Sequence, residues 1–117
     1  MPHLVAIVDD DESVRTALTR LLRSAGYAAT SFVGGAEFLQ RPGSPHCLLL
    51  DLDMPGTNGA DVLARLVTLG IRIPTIIITG NIQESHAEAV RTLRVLQKPF
   101  DDQVLLDAVA AAIRVAA

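Results

Sequence analysis

Half of the 117 residues are hydrophobic, only 3% are aromatic, and the net charge is −3. That length suits one domain, 1–117, burying roughly two-thirds of its unfolded surface around an aliphatic core. No basic stripe suggests direct nucleic-acid binding, one cysteine excludes an intramolecular disulfide framework, and no apolar run nears a membrane span or a secretory signal, so a cytoplasmic, soluble domain is expected.

Leu4–Val8 is a short apolar run that reads as a buried strand and ends on Asp9-Asp10-Asp11-Glu12. Val14, Ala17, Leu18, Leu21, Leu22 and Ala25 then follow helical spacing, with Gly26 as a natural stop. Tyr27–Phe32 is a more polar strand and Gly34–Gln40 a short helix. After the Arg41–Pro45 loop, the strand His46–Leu50 runs into Asp51, and Pro55–Gly59 is a turn. A helix through Val62, Leu63, Leu66 and Leu69 ends at Gly70, and Pro74–Thr79 is the fourth strand. Gln83–Leu93 reads as a helix, Val95–Gln97 as a fifth strand, and the last helix starts near Asp101.

Alternating strands and helices imply a doubly wound α/β fold with a five-stranded parallel sheet. The first, third and fourth strands are continuously apolar and belong inside; the mixed second and fifth belong at the edges. The predicted order is 2-1-3-4-5, and the first and third strands flank the point where strand order reverses. Ligands of such sheets bind there, at the carboxyl ends of the strands.

The residues delivered to that edge carry the chemistry. Like charges about 4 Å apart cost roughly 4 kcal/mol per pair at an effective dielectric near 20. A divalent cation offsets this for Asp9 and Asp10, and hard oxygen ligands suit Mg²⁺. Asp11 and Glu12 read equally well as favourable acids at a helix N-terminus, Asp11 as its N-cap. Asp51 precedes a loop rather than a helix, so capping is less natural for it; a carboxylate there is a candidate nucleophile on phosphorus. Thr79 offers a hydroxyl beside it. Lys98 is the sole lysine against nine arginines, a compact charge suited to phosphate or carboxylate, and a cis Lys98–Pro99 bond would aim it. His3, His46 and His86 lack ligand spacing.

Together Val8-Asp9-Asp10-Asp11-Glu12, Leu49-Leu50-Asp51-Leu52-Asp53-Met54-Pro55-Gly56, Ile78-Thr79-Gly80 and Lys98-Pro99-Phe100 resemble the receiver domain of two-component response regulators. The resemblance covers essentially the whole chain, and the stretch from Asp9 to Tyr27 is most similar to the FixJ-like subgroup. It implies a flavodoxin-like receiver fold and a phosphoryl group taken by Asp51 from a histidine kinase or phosphotransfer protein. It further implies Mg²⁺ held by Asp10, Asp51 and the Asp53 carbonyl, with Asp9 acting through water, and Thr79 and Lys98 on the phosphoryl oxygens. Such a protein is no enzyme beyond its own phosphorylation and dephosphorylation. Its conformational switch is compatible with homodimer formation, and FixJ-like regulators usually carry a C-terminal DNA-binding domain. Two departures bear on signal output rather than chemistry. Val95 stands at the position of the family's switch aromatic, and the segment from Thr79 to Lys98 is a few residues shorter than is typical and lacks the glycine-containing turn usually found before the fifth strand. The Asp53 side chain places a further negative charge near the metal. Two other readings are a receiver-shaped interaction module with decoupled output and a haloacid-dehalogenase-type phosphatase. The second is disfavoured by Pro55, by a nucleophile beyond the first strand, and by Asp101-Asp102, which reads better as a helix cap.

Overall fold

Period-two alternation along each inner strand sorts the aliphatic side chains into two layers. In a computed structural model, which describes residues 2–54, 59–80 and 94–116, β1 (Leu4–Val8) pairs in parallel with both β2 (Ala28–Phe32) and β3 (Cys47–Asp51). Strand β4 (Thr75–Thr79) lies between β3 and β5 (Arg94–Gln97), and the sheet runs β2-β1-β3-β4-β5. On one face Val5, Ile7, Cys47, Leu49, Ile76 and Ile78 pack together. Helix α1 (Glu12–Ser24) covers them with Leu18 and Leu22, and α4 (Asp102–Ala116) with Leu105, Ala108 and Val109. On the other face Ala6, Val8, Leu48, Leu50 and Ile77 meet Phe38 of α2 (Gly35–Gln40) and Val62, Leu63 and Leu66 of α3 (Gly59–Thr68).

The edge strands are the mixed ones: β2 holds no fully buried residue and β5 buries only Leu96. Burial pushes the Cys47 thiol up to about 12, so it stays protonated and serves as a small apolar core residue. Helix α1 ends where Gly26, at φ +94°, lets its N–H reach the Arg23 carbonyl at 3.1 Å while the Tyr27 N–H reaches Leu22 at 3.0 Å. Strands β2, β3 and β4 start one residue later than the sequence expectation, at Ala28, Cys47 and Thr75, and two further boundaries differ at the site edge. Asp51 is the last residue of β3, in register with Ile78, and β5 starts one residue earlier, with Arg94 exposed on the open edge. The predicted Gln83–Leu93 helix, with His86, and most of the Pro55–Gly59 turn lie outside the described residues. Among the described residues no helix is long and apolar enough to cross a membrane.

Candidate functional site

The register Val8↔Leu50 places the residue after β1 beside the last residue of β3. Asp9 and Asp51 are therefore neighbours, 1% and 3% exposed. Both are held by the same local device. An Asp9 oxygen accepts the N–H of Asp11 at 2.9 Å, and an Asp51 oxygen accepts the N–H of Asp53 at 2.9 Å. Each carboxylate is thus tied by Oδ1 to the backbone two residues on and points Oδ2 into the space between the strands. Lys98 reaches that space from beyond β5, its Nζ 3.4 Å from Asp51 Oδ2 and 3.6 Å from Asp9 Oδ2. Its position is fixed by its own N–H, which donates to the Thr79 carbonyl at 2.8 Å, and the Lys98–Pro99 peptide is cis. Asp10 is exposed, yet one of its oxygens lies within 4.8 Å of oxygens of Asp9 and Asp51.

The electrostatics follow from this crowding. Burial raises the Asp51 carboxyl above its ordinary value, and the charge of Asp9 pushes the same way, while the Asp53 N–H and Lys98 offset part of the effect. For Lys98, burial favours the neutral amine, but Asp51 and Asp9 together outweigh it and hold the ammonium above its ordinary value. Asp9 Oδ2 remains the one buried side-chain oxygen among the described residues without a hydrogen-bond donor. An unsatisfied buried carboxylate oxygen converging with two more acidic oxygens fits a small, hard divalent cation.

Two functional contacts were not legible in the sequence. The Asp53 carboxylate does not join the three-acid group; it spans to the end of β4, where Oδ1 accepts from Thr79 Oγ1 at 2.9 Å and Oδ2 from the Gly80 N–H at 2.6 Å. Arg15, one turn into α1, donates from Nη1 to the Asp9 carbonyl at 2.8 Å and so steadies the acidic loop from below. Helical phase alone could have pointed to Arg15, whereas nothing local marks the partners of Asp53. Asp11 is the N-cap of α1, accepting from the Ser13 N–H and Oγ, and that hydrogen bonding lowers its carboxyl below the ordinary value. Asp101 likewise accepts from the Gln103 N–H at the start of α4, which is the capping role, not a phosphatase ligand.

With the nucleophile candidate on β3 and the acids after β1, the family model for the response regulator receiver domain matches residues 5–110. The chain belongs to that family. Nodulation protein W of Bradyrhizobium diazoefficiens is 42% identical over 93% of this receiver chain and 50% of its own length. The transcriptional regulatory protein FixJ of Azorhizobium caulinodans is 35% identical over 93% and 54%. A response regulator receiver protein from Burkholderia phymatum superposes with a TM-score of 0.81 at 38% identity, covering 96% of this chain and 95% of the other. The receiver chain spans about half the length of the first two relatives, and the fold and FixJ-like kinship expected from the sequence are those found.

Proposed function

We propose that this receiver accepts a phosphoryl group on Asp51 from the phosphohistidine of a histidine kinase or phosphotransfer protein. The observation that carries the reading is the buried Asp51 carboxylate, its Oδ2 facing the Lys98 ammonium at 3.4 Å beside Asp9 and Asp10. In the transfer, an Asp51 oxygen forms a bond to phosphorus as the donor's P–N bond breaks, and the electron pair leaves on the imidazole nitrogen. Lys98 is placed to pair with one phosphoryl oxygen and the Thr79 hydroxyl to donate to another. Asp9, Asp10 and Asp51, with the Asp53 carbonyl, are the residues that would hold Mg²⁺; that ion would neutralise charge on the phosphoryl oxygens. The family resemblance implies that Asp9 would act on that ion through water. The chain is a signalling module that catalyses only its own phosphorylation and dephosphorylation.

A phosphoryl group brings about −1.5 to −2 charges into this space. Two charge-assisted hydrogen bonds at about 1.5–3 kcal/mol each approach the ~5.5 kcal/mol that inverts a two-state population. These contacts are therefore of the order of magnitude that a switch requires. The relatives' full names and lengths support an output domain beyond this receiver, regulatory in kind, with DNA binding assigned to that domain rather than this one.

Intact mass after incubation with acetyl phosphate tests the reading. One phosphoryl adduct is expected, requiring both Mg²⁺ and Asp51 and absent from Asp51→Asn. No adduct on the wild-type chain would overturn it.

A further inference from the structure

A phosphoryl group on Asp51 needs donors for its oxygens, and at the end of β4 two of them are already taken. Thr79 Oγ1 and the Gly80 N–H both donate to the Asp53 carboxylate, at 2.9 and 2.6 Å. The carboxylate comes from the loop that follows Asp51, only two residues on, and its own N–H is bonded to Asp51 Oδ1 at 2.9 Å. One short loop thus ties the acceptor through its backbone and caps the opposite strand through its side chain. The residue is exposed, so its carboxylate has water to move into.

We propose that Asp53 is a built-in anionic placeholder that holds the phosphoryl-binding donors of β4 until Asp51 is phosphorylated. This rests on the phosphoacceptor reading above. A carboxylate and a phosphoryl group compete for the same kind of donor, and the phosphoryl group brings more charge and more acceptor oxygens. Two anions held within one loop also repel each other. Phosphorylation therefore passes the Thr79 hydroxyl and the Gly80 N–H from Asp53 to the phosphoryl oxygens and releases the Asp53 side chain to solvent. Asp53 is a positioning residue: it sets how readily the phosphorylated form is populated, and its release unties the residues just after Asp51 from the end of β4. The placeholder stabilises the unphosphorylated form and raises the phosphodonor level needed to fill the site.

The test is the acetyl phosphate concentration that gives half-labelling with Mg²⁺, in wild type, Asp53→Ala, Asp53→Asn, Thr79→Val and the Asp53→Ala/Thr79→Val pair. Asp53→Ala is expected to lower that concentration by about tenfold, and Asp53→Asn by less, because its amide oxygen still accepts from Thr79. In the Thr79→Val background the effect of Asp53→Ala should shrink several-fold, whereas simple removal of a repelling charge would act equally in both backgrounds. A second reading on wild-type protein needs no variant: the Gly80 amide and Asp53 carboxyl resonances should both move on phosphorylation. An unchanged or raised half-labelling concentration in Asp53→Ala and Asp53→Asn, with the label still on Asp51, overturns the placeholder alone. So does an equal effect in both backgrounds, or a Gly80 amide that phosphorylation does not move. A wild-type chain that never labels overturns the acceptor reading and the placeholder with it.

Discussion

Taking the Asp51 carboxylate out of water raises the free energy of its charged form, and Asp9 beside it adds to that cost. The Asp53 N–H and the Lys98 ammonium offset only part, so the folded chain holds the Asp51 proton more tightly than the unfolded chain does. The sign follows: the cost is absent below the ordinary carboxyl value of 3.8 and fully present once pH has risen through the higher folded value. Asp51→Asn, which keeps an oxygen to accept the Asp53 N–H, should therefore stabilise the metal-free protein near neutral pH and raise its Tm. That gain should fade as pH drops toward 3.8. Thermal melts of both proteins in chelator across pH 4 to 8 check this; a variant less stable than wild type at pH 7 would show that the Lys98 ion pair, not burial, dominates at Asp51. The same local chemistry explains what the sequence could reveal at this scale. Asp9, Asp51, Thr79 and Lys98 stand at the ends of apolar runs, so their convergence follows from strand order. Asp53 sits in a loop with no periodicity, and its partner hydroxyl is 26 residues away, a pairing that only the folded strand ends create.

Strands β1, β3 and β4 were legible because burial on both faces fills them with the aliphatic runs Leu4–Val8, Leu48-Leu49-Leu50 and Ile76-Ile77-Ile78 just before the terminal polar group. Their ends were less so, because a strand continues while its backbone finds partners, as Asp51 does against Ile78. Helix α3 shows how an element fixes the site. A Cβ at its first residue, Gly59, would stand 2.6 Å from Leu52 Cδ1 and 3.3 Å from Leu52 Cα. Leu52 is the residue between Asp51 and Asp53, so helix and loop can approach only because the helix starts on glycine. The Leu52 side chain can rotate away, but its backbone can give way only by moving the loop. Gly59→Ala is expected to cost about 1–3 kcal/mol, as overpacking does, and to impair labelling of Asp51 more than a core truncation of equal cost. Val62→Ala, on the same helix but buried in the second layer, is the comparison. Matched losses of stability with matched labelling would sink the idea that this contact sets the acceptor loop.

At the scale of the molecule, topology gathers like charge that the other described residues only partly neutralise. The order β2-β1-β3-β4-β5 puts the residues after β1 and at the end of β3 side by side, and the acids there face a single ammonium. Lys98 is shared by Asp9 and Asp51 at distances longer than a strong charge-assisted hydrogen bond. It leaves Asp9 Oδ2 without a hydrogen-bond donor, and Asp10 reaches the same point from solvent. A cation that binds only when β1 and β3 are paired binds the folded state alone, so it stabilises the fold by mass action. Mg²⁺ at about 100 times its Kd would add about 2.7 kcal/mol, a rise in Tm of roughly 10 °C or more for a domain of this size. Calcium-free Mg²⁺ titrations followed by thermal melts should show that rise in the wild type and its reversal by chelator. Asp9→Asn should blunt it and Asp51→Asn should abolish most of it, although each begins with less repulsion than the wild type. An equal rise in all three proteins would mean that the ion merely screens a net charge of −3, and the three acids would then be repelling one another with no metal to hold them.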